Sequence, residues 1–236
     1  MHLPLRPFAL TFAAALLMVG LLEWVHAATP SAADSRTLIV TRNGREIGAE
    51  TISIERQPER LLVNLAVHLQ VKILGITVYR FDQDSTEAWR DERLEQLSSQ
   101  TLDNGVQHRV QVSRQAATLQ LKADHASLAV DATSLPGSQW YEPRFHSATL
   151  IHNVDGRLLH VTAQQLGTEK IQLGRAQIEA HHYRFSGDVT DEFWFDADGV
   201  LVQRRLIASD RSVVEFTLAP GLSVAGLSPR GPSAER

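Results

Sequence analysis

Residues able to carry chemistry gather in three places in this chain. The first is aromatic: Trp140, Tyr141, Phe145 and His146 stand together, with Glu142 and Arg144 between them. Rings and charges on one loop form either a binding mouth or a plug that seals a core. As a mouth, Trp140, Tyr141 and Phe145, joined by Ile76, would be the apolar wall or lid. Arg144 would then anchor an anionic head group. The second place is a run of acids, Asp188, Asp191, Glu192, Asp196 and Asp198, beside Phe193 and Phe195. A hydrolase would pair one of these carboxylates with His146 or His152. The simpler reading is a hydrated hairpin with polar ends. The third place holds the adjacent His181 and His182, which point to opposite faces of a strand and so share no metal. His146 and His152, six apart, lie about 240° from each other on a helix and do not converge either. No metal, cofactor or catalytic residue is therefore expected.

The familiar catalytic signatures are missing: H-E-x-x-H, a phosphate-binding loop and G-x-S-x-G do not occur. Gly221-Leu222-Ser223 has its second glycine one place late. Asp196-Ala197-Asp198-Gly199 resembles half a calcium loop, but Trp194 and Arg205 would occupy the first and last ligand positions. Neither binds calcium, so the tetrapeptide reads as a hairpin turn.

The elements that must position these residues are strands. Leu61, Val63, Leu65, Val67, Leu69 and Val71 alternate with Asn64, His68, Gln70 and Lys72, the mark of a strand with one wet face. The same alternation recurs around Leu38–Thr41, Glu46–Glu55, Arg80–Trp89, Val106–Ser113, Thr118–Lys122, Leu158–Leu166, Gln177–Phe185, Glu192–Phe195, Val200–Ile207 and Val213–Thr217. Asn43-Gly44, Asn104-Gly105, Asp155-Gly156 and Asp198-Gly199 supply the positive-φ residues of tight turns. Strands succeed one another without long helical patterns, which excludes βαβ architecture. The expectation is an all-β, mainly antiparallel meander curled into a half-barrel or clamshell.

Two stretches break the rhythm. Ile73 to Tyr79 is apolar in both phases, and an unbroken strand from Leu61 to Trp89 would span about 95 Å. The chain must therefore turn near Gly75, and a strand buried on both faces is the favoured reading of Ile73–Val78. An exposed apolar tip, touching membrane or a hydrophobic ligand, is the alternative. The second break, Ser134 to Asn153, reads as one short helix over Arg144–His152 crossing the concave face.

The ends complete the organisation. Arg6, an uncharged run from Phe8 to Leu22, and Val25-His26-Ala27 read as a cleaved secretory signal over residues 1–27, with the product starting at Ala28 in the periplasm. Residues 28–35 read as a spacer, 36–218 as one β domain and 219–236 as a disordered tail rich in Gly, Pro, Ser and Ala. The 236-residue chain carries a net charge of −4, which argues against a nucleic-acid partner. It has no cysteine, so disulfides, thiolate metal sites and thiol catalysis are out. No other segment is apolar enough to span a bilayer.

Taken in order, Asn43-Gly44-Arg45-Glu46-Ile47-Gly48, Leu74-Gly75-Ile76-Thr77-Val78-Tyr79-Arg80, Trp89, Asp103-Asn104-Gly105, Trp140-Tyr141 and Phe195-Asp196-Ala197-Asp198-Gly199-Val200-Leu201 resemble an uncharacterised family of secreted bacterial domains of unknown function. The likeness runs over residues 37 to 217. The last stretch is also similar to the closing hairpins of periplasmic curved-sheet proteins of the lipoprotein-carrier type. The resemblance implies a half-barrel with a helix against its concave side and transfers no catalytic residue. The expected function is a non-enzymatic periplasmic domain binding an apolar or lipid-like ligand or a cell-envelope partner. The rivals are the envelope-directed hydrolase and a structural assembly factor with no small ligand.

Overall fold

The computed structural model describes residues 34–124 and 126–219. The expected signal over 1–27 and all but the first residue of the expected tail lie outside them. Fifteen strands follow in chain order. The first half comprises β1 (Asp34–Arg42), β2 (Arg45–Gln57), β3 (Arg60–Ile73), β4 (Ile76–Arg90), β5 (Arg93–Asp103), β6 (Val106–Gln115), β7 (Thr118–Ala123) and β8 (Ala126–Asp131). The second comprises β9 (Leu135–Pro136), β10 (Ser147–Ile151), β11 (Leu158–Leu173), β12 (Ala176–Gly187), β13 (Asp191–Phe195), β14 (Leu201–Ile207) and β15 (Val213–Leu218).

All fifteen form one sheet, ordered β8-β7-β6-β5-β4-β3-β2-β1-β15-β14-β13-β12-β11-β10-β9. Two meanders are therefore joined where the last strand returns beside the first, with Val40 opposite Phe216. Every pairing is antiparallel except β9 with β10. Period-two alternation puts one phase of β1 to β3 inward: Leu38, Val40, Ile52, Ile54, Val63 and Leu65 join Phe185, Phe193 and Phe195 in the main core. A second core lies under β5 to β8, and Ile151 of β10 packs into it beside Leu97 and Val112. The sheet thus curls until its β9–β10 margin reaches the face of β5–β7, without closing.

Three expectations change. Among the described residues there is no helix: Arg144–His152 contains β10, in which Ala148 faces Val161 and Leu150 faces Leu159. Thr149 and Ile151 are β-branched and favour the pleated state, and pairing on β11 satisfies backbone groups that a helix of about two and a half turns would leave open at its ends. The first strand starts earlier than expected, because Asp34 and Ser35, assigned to the spacer, already pair with Ile54 and Ser53 in β1.

Ile73–Val78 is not a strand buried on both faces. The chain turns at Leu74-Gly75, as the length argument required. However, β2 stops pairing with β3 at Gly48–Leu69, and β5 stops pairing with β4 at Phe81–Asp103. Beyond these points β3 and β4 pair only with each other, and Ile73, Leu74, Ile76 and Val78 are exposed.

Candidate functional site

The crossover after β8 carries the aromatic cluster, and the sheet shapes it locally. Tyr141 bridges to Val200, the Glu142 N–H donates to the Gly199 carbonyl at 2.8 Å, and the Leu201 N–H donates to the Trp140 carbonyl at 3.1 Å. Gly199 sits at φ +76°, and a Cβ there would lie 2.8 Å from the Tyr141 ring, so only glycine admits the ring. The turn itself is closed by Asp196, whose carboxylate accepts the N–H groups of Asp198 and Val200 at 3.0 Å. Its other oxygen takes the buried Arg36 guanidinium at 2.7 Å. The tetrapeptide is thus a hairpin turn.

Trp140 is only 6% exposed. Its ring meets Trp89 edge-on at 6.3 Å and Tyr141 at 5.7 Å. The indole N–H donates at 2.9 Å to Glu87, a wholly buried carboxylate of β4. The same Glu87 oxygen accepts the Trp89 indole N–H at 2.9 Å, and the other accepts the Ser138 hydroxyl at 2.5 Å. Burial pushes the Glu87 carboxyl up, opposed by hydrogen bonds from Ser138, Trp140, Trp89 and Asn153. A buried carboxylate is tolerable only with donors on both oxygens, and here the crossover brings them. Glu87 therefore ties the loop to the sheet.

Phe145 packs edge-on against Phe185 at 5.7 Å. Arg144 donates to the Tyr141 hydroxyl at 3.0 Å, stacks over its ring and is ion-paired to Glu92. Glu142 takes His181 at 2.9 Å and the Tyr183 hydroxyl at 2.8 Å. Burial first, then that carboxylate, raises the Tyr183 phenol to about 12. Trp140, Tyr141, Phe145 and Arg144 thus come together, with Trp140 sealing the concave side. Ile76 does not join them. It lies on β4 eleven residues before Glu87, about 36 Å away along an extended strand.

The acids and histidines are dispersed over separate partners. Asp188 accepts the His160 backbone N–H, Asp191 holds Arg204, Glu192 holds Arg184, and Asp196 holds Arg36. His152 is engaged by Asp155 at 2.7 Å, and His146 is exposed. Neither His146 nor His152 meets a carboxylate of this acidic run; the approach that does occur, Glu192 to His182 at 4.0 Å, involves a different histidine. His181 and His182 do face apart: His182 stacks on Trp194 at 4.3 Å and meets Glu169 at 2.7 Å. No three metal-ligating side chains converge among the described residues, and no described helix is long and apolar enough to cross a membrane.

Sequence reasoning passed over Glu87, Glu50 and Arg204. The available signal was register: Glu87 lies opposite Val63 and Leu97, both core positions. Likewise Glu50 lies opposite Leu38 and Val67. The hairpin tip is the alternative that the sequence left less favoured, and Ile73, Leu74, Ile76 and Val78 are exposed there. Four tight turns have both central residues at positive φ: Asn43-Gly44, Leu74-Gly75, Asp91-Glu92 and Asn104-Gly105. Asparagine suits that first position, whereas leucine pays a steric penalty there. Leu74 is moreover 96% exposed.

The DUF6134 family, described as a domain of unknown function, matches residues 39–219. Among solved structures, the chain is similar to a beta-barrel-like protein of the domain of unknown function DUF1849 from Brucella abortus. The two share 12% identity at a TM-score of 0.59, over 81% of this chain and 98% of that one. That likeness concerns the fold. A comparison with curated proteins finds no match.

Proposed function

This chain belongs to the DUF6134 family of domains of unknown function, and from that premise we propose a secreted, non-enzymatic domain of the bacterial envelope. It works by surface contact with an apolar or lipid-like partner through the β3–β4 hairpin. One observation carries the reading: Ile73, Leu74, Ile76 and Val78 are exposed together on a hairpin that outruns its neighbours. Exposed apolar clusters of this kind mark interaction sites. The concave side supports the same reading in reverse, since Trp140 and the main core fill it. An interior ligand would have to displace packed side chains.

The test is fractionation of the native bacterium carrying wild-type protein or Leu74→Ser/Ile76→Ser. Wild type should sediment with envelopes and the variant should remain soluble, with equal melting temperatures. Identical distribution of the two would overturn the reading. The outer edge of β8, where Ala126–Ala129 are exposed, favours a second reading, an assembly factor that adds a partner strand there. In that case Leu128→Lys, not the hairpin variant, would release the protein.

A further inference from the structure

We propose that the partner of this hairpin is an anionic lipid surface. Its apex enters the interface while a ring of cations meets the phosphates. The proposal rests on the reading of the hairpin as the working surface and names what that surface touches.

Its first support is the layering of the hairpin along its own axis. The apex is apolar: Leu74, flanked by the facing pair Ile73 and Ile76, with Val78 behind. Lys72 follows immediately. Arg45 and Lys72 line one depression beside the hairpin, together with Arg42 and Arg211. The apex thus projects two residues, about 7 Å, beyond Lys72. Apolar groups seated about 5–10 Å below a headgroup layer are the geometry of interfacial anchoring.

Charge is the second support. The chain is acidic overall, yet this end of the sheet gathers Arg42, Arg45, Lys72, Arg80 and Arg211. The acids present are Glu46, Asp82, Asp103, Asp210 and Glu215. Asp210 is tied to Arg42, Asp82 to Arg80 and His68, Asp103 to the Tyr79 hydroxyl, and Glu215 to Arg205. Arg45, Lys72 and Arg211 make no ion pair among the described residues, and Glu46 alone opposes them. Juxtamembrane cations of this kind are drawn to anionic leaflets. A protein partner fits less well, because a convex two-stranded apex offers no flat face of the ~800 Å² that a standard interface buries on each side.

Leu74 is the third support. At a turn position where Asn43, Asp91, Asn104 and Ala116 serve other hairpins, leucine is the one large apolar residue, adverse both to the backbone and to hydration. Insertion into hydrocarbon reverses the hydration cost.

The absence of cysteine makes the test selective. Leu74→Cys, and Ala117→Cys at the opposite end of the sheet, would each be labelled with an environment-sensitive fluorophore on the full chain as its host processes it. With vesicles half phosphatidylglycerol and half phosphatidylcholine, the label at 74 should brighten and shift to the blue. The label at 117 should not respond, and phosphatidylcholine alone should leave both unchanged. Arg45→Glu/Lys72→Glu in the Leu74→Cys background should weaken binding at least about ten-fold, as loss of two headgroup contacts implies. A silent label at 74 on anionic vesicles would overturn the lipid proposal. If the hairpin variant still leaves the envelope fraction in cells, surface contact stands and the lipid assignment falls. Equal brightening at 74 and 117 would also overturn it, by showing attachment through another part of the chain.

Discussion

Trp140→Ala tests whether the crossover loop seals the fold. The side chain is 6% exposed, packed on Trp89 and Tyr141, and bonded to Glu87 at 2.9 Å. Truncating a buried tryptophan costs about 3–5 kcal/mol in lost transfer energy and cavity. Depriving a buried carboxylate of one donor costs roughly 1–3 kcal/mol more. The two terms overlap, so the expected loss is about 4–6 kcal/mol, close to the whole stability of a marginal domain. Trp140→Phe keeps an aromatic ring but removes the N–H and the indole's second ring, so its loss should be smaller than the alanine's yet at least about 1.5–3 kcal/mol, the range for a bond to a charged group. Combined with Glu87→Gln, the two substitutions should couple by more than about 1 kcal/mol. Urea denaturation followed by far-UV circular dichroism measures wild type, both Trp140 variants, Glu87→Gln and the double variant without relying on the deleted fluorophore. A loss below about 1 kcal/mol for Trp140→Ala, the scale of a surface change, would refute the seal. It would restore the open mouth.

Three further outcomes are expected. Leu74→Asn should raise the urea midpoint, by roughly 0.5–1 kcal/mol, because asparagine tolerates the left-handed turn better; a lowered midpoint would give Leu74 a structural role. Burial pushes the Glu50 carboxyl up to about 7, opposed by Arg204, so the folded state keeps a proton that the unfolded chain loses near 4.5. Stability should therefore fall as pH rises from about 4.5 to 7, by up to ~3 kcal/mol at 1.36 kcal/mol per unit. Glu50→Gln should flatten that slope in denaturation curves taken across the range, and an unchanged slope would exonerate the group. Asp196→Ala should cost about 3–5 kcal/mol by leaving the Arg36 charge buried without its carboxylate, whereas a loss under 1 kcal/mol in the same assay would show that the pair is dispensable.

What the sequence disclosed follows from which interactions are local. The alternation from Leu61 to Val71 and the Asn-Gly turns are written within a dozen residues, so strands and hairpins could be read directly. The return of β15 to β1 was not legible, because Val40 and Phe216 meet across most of the chain. The helix expected near Arg144–His152 failed for the same reason. Five residues whose partners lie on β11 carry no local mark of that pairing. Glu87 was hidden because its donors come from residues 138, 140 and 153.

Two residues go against the pattern in opposite senses, and the difference is informative. Glu87 is a charge where the alternation demands an apolar group, yet its surroundings answer it with four donors, so the conflict is resolved inside the fold. Leu74 is an apolar group where turn geometry and exposure demand asparagine or glycine, and among the described residues nothing covers it. Natural sequences violate local rules where they gain something elsewhere. For Glu87 the gain is visible: a loop pinned across the sheet. For Leu74 the fold supplies none, so the compensation must come from outside the chain. This separates the aromatic cluster from the hairpin: the first accounts for how the concave face is covered, the second for what the curled sheet presents.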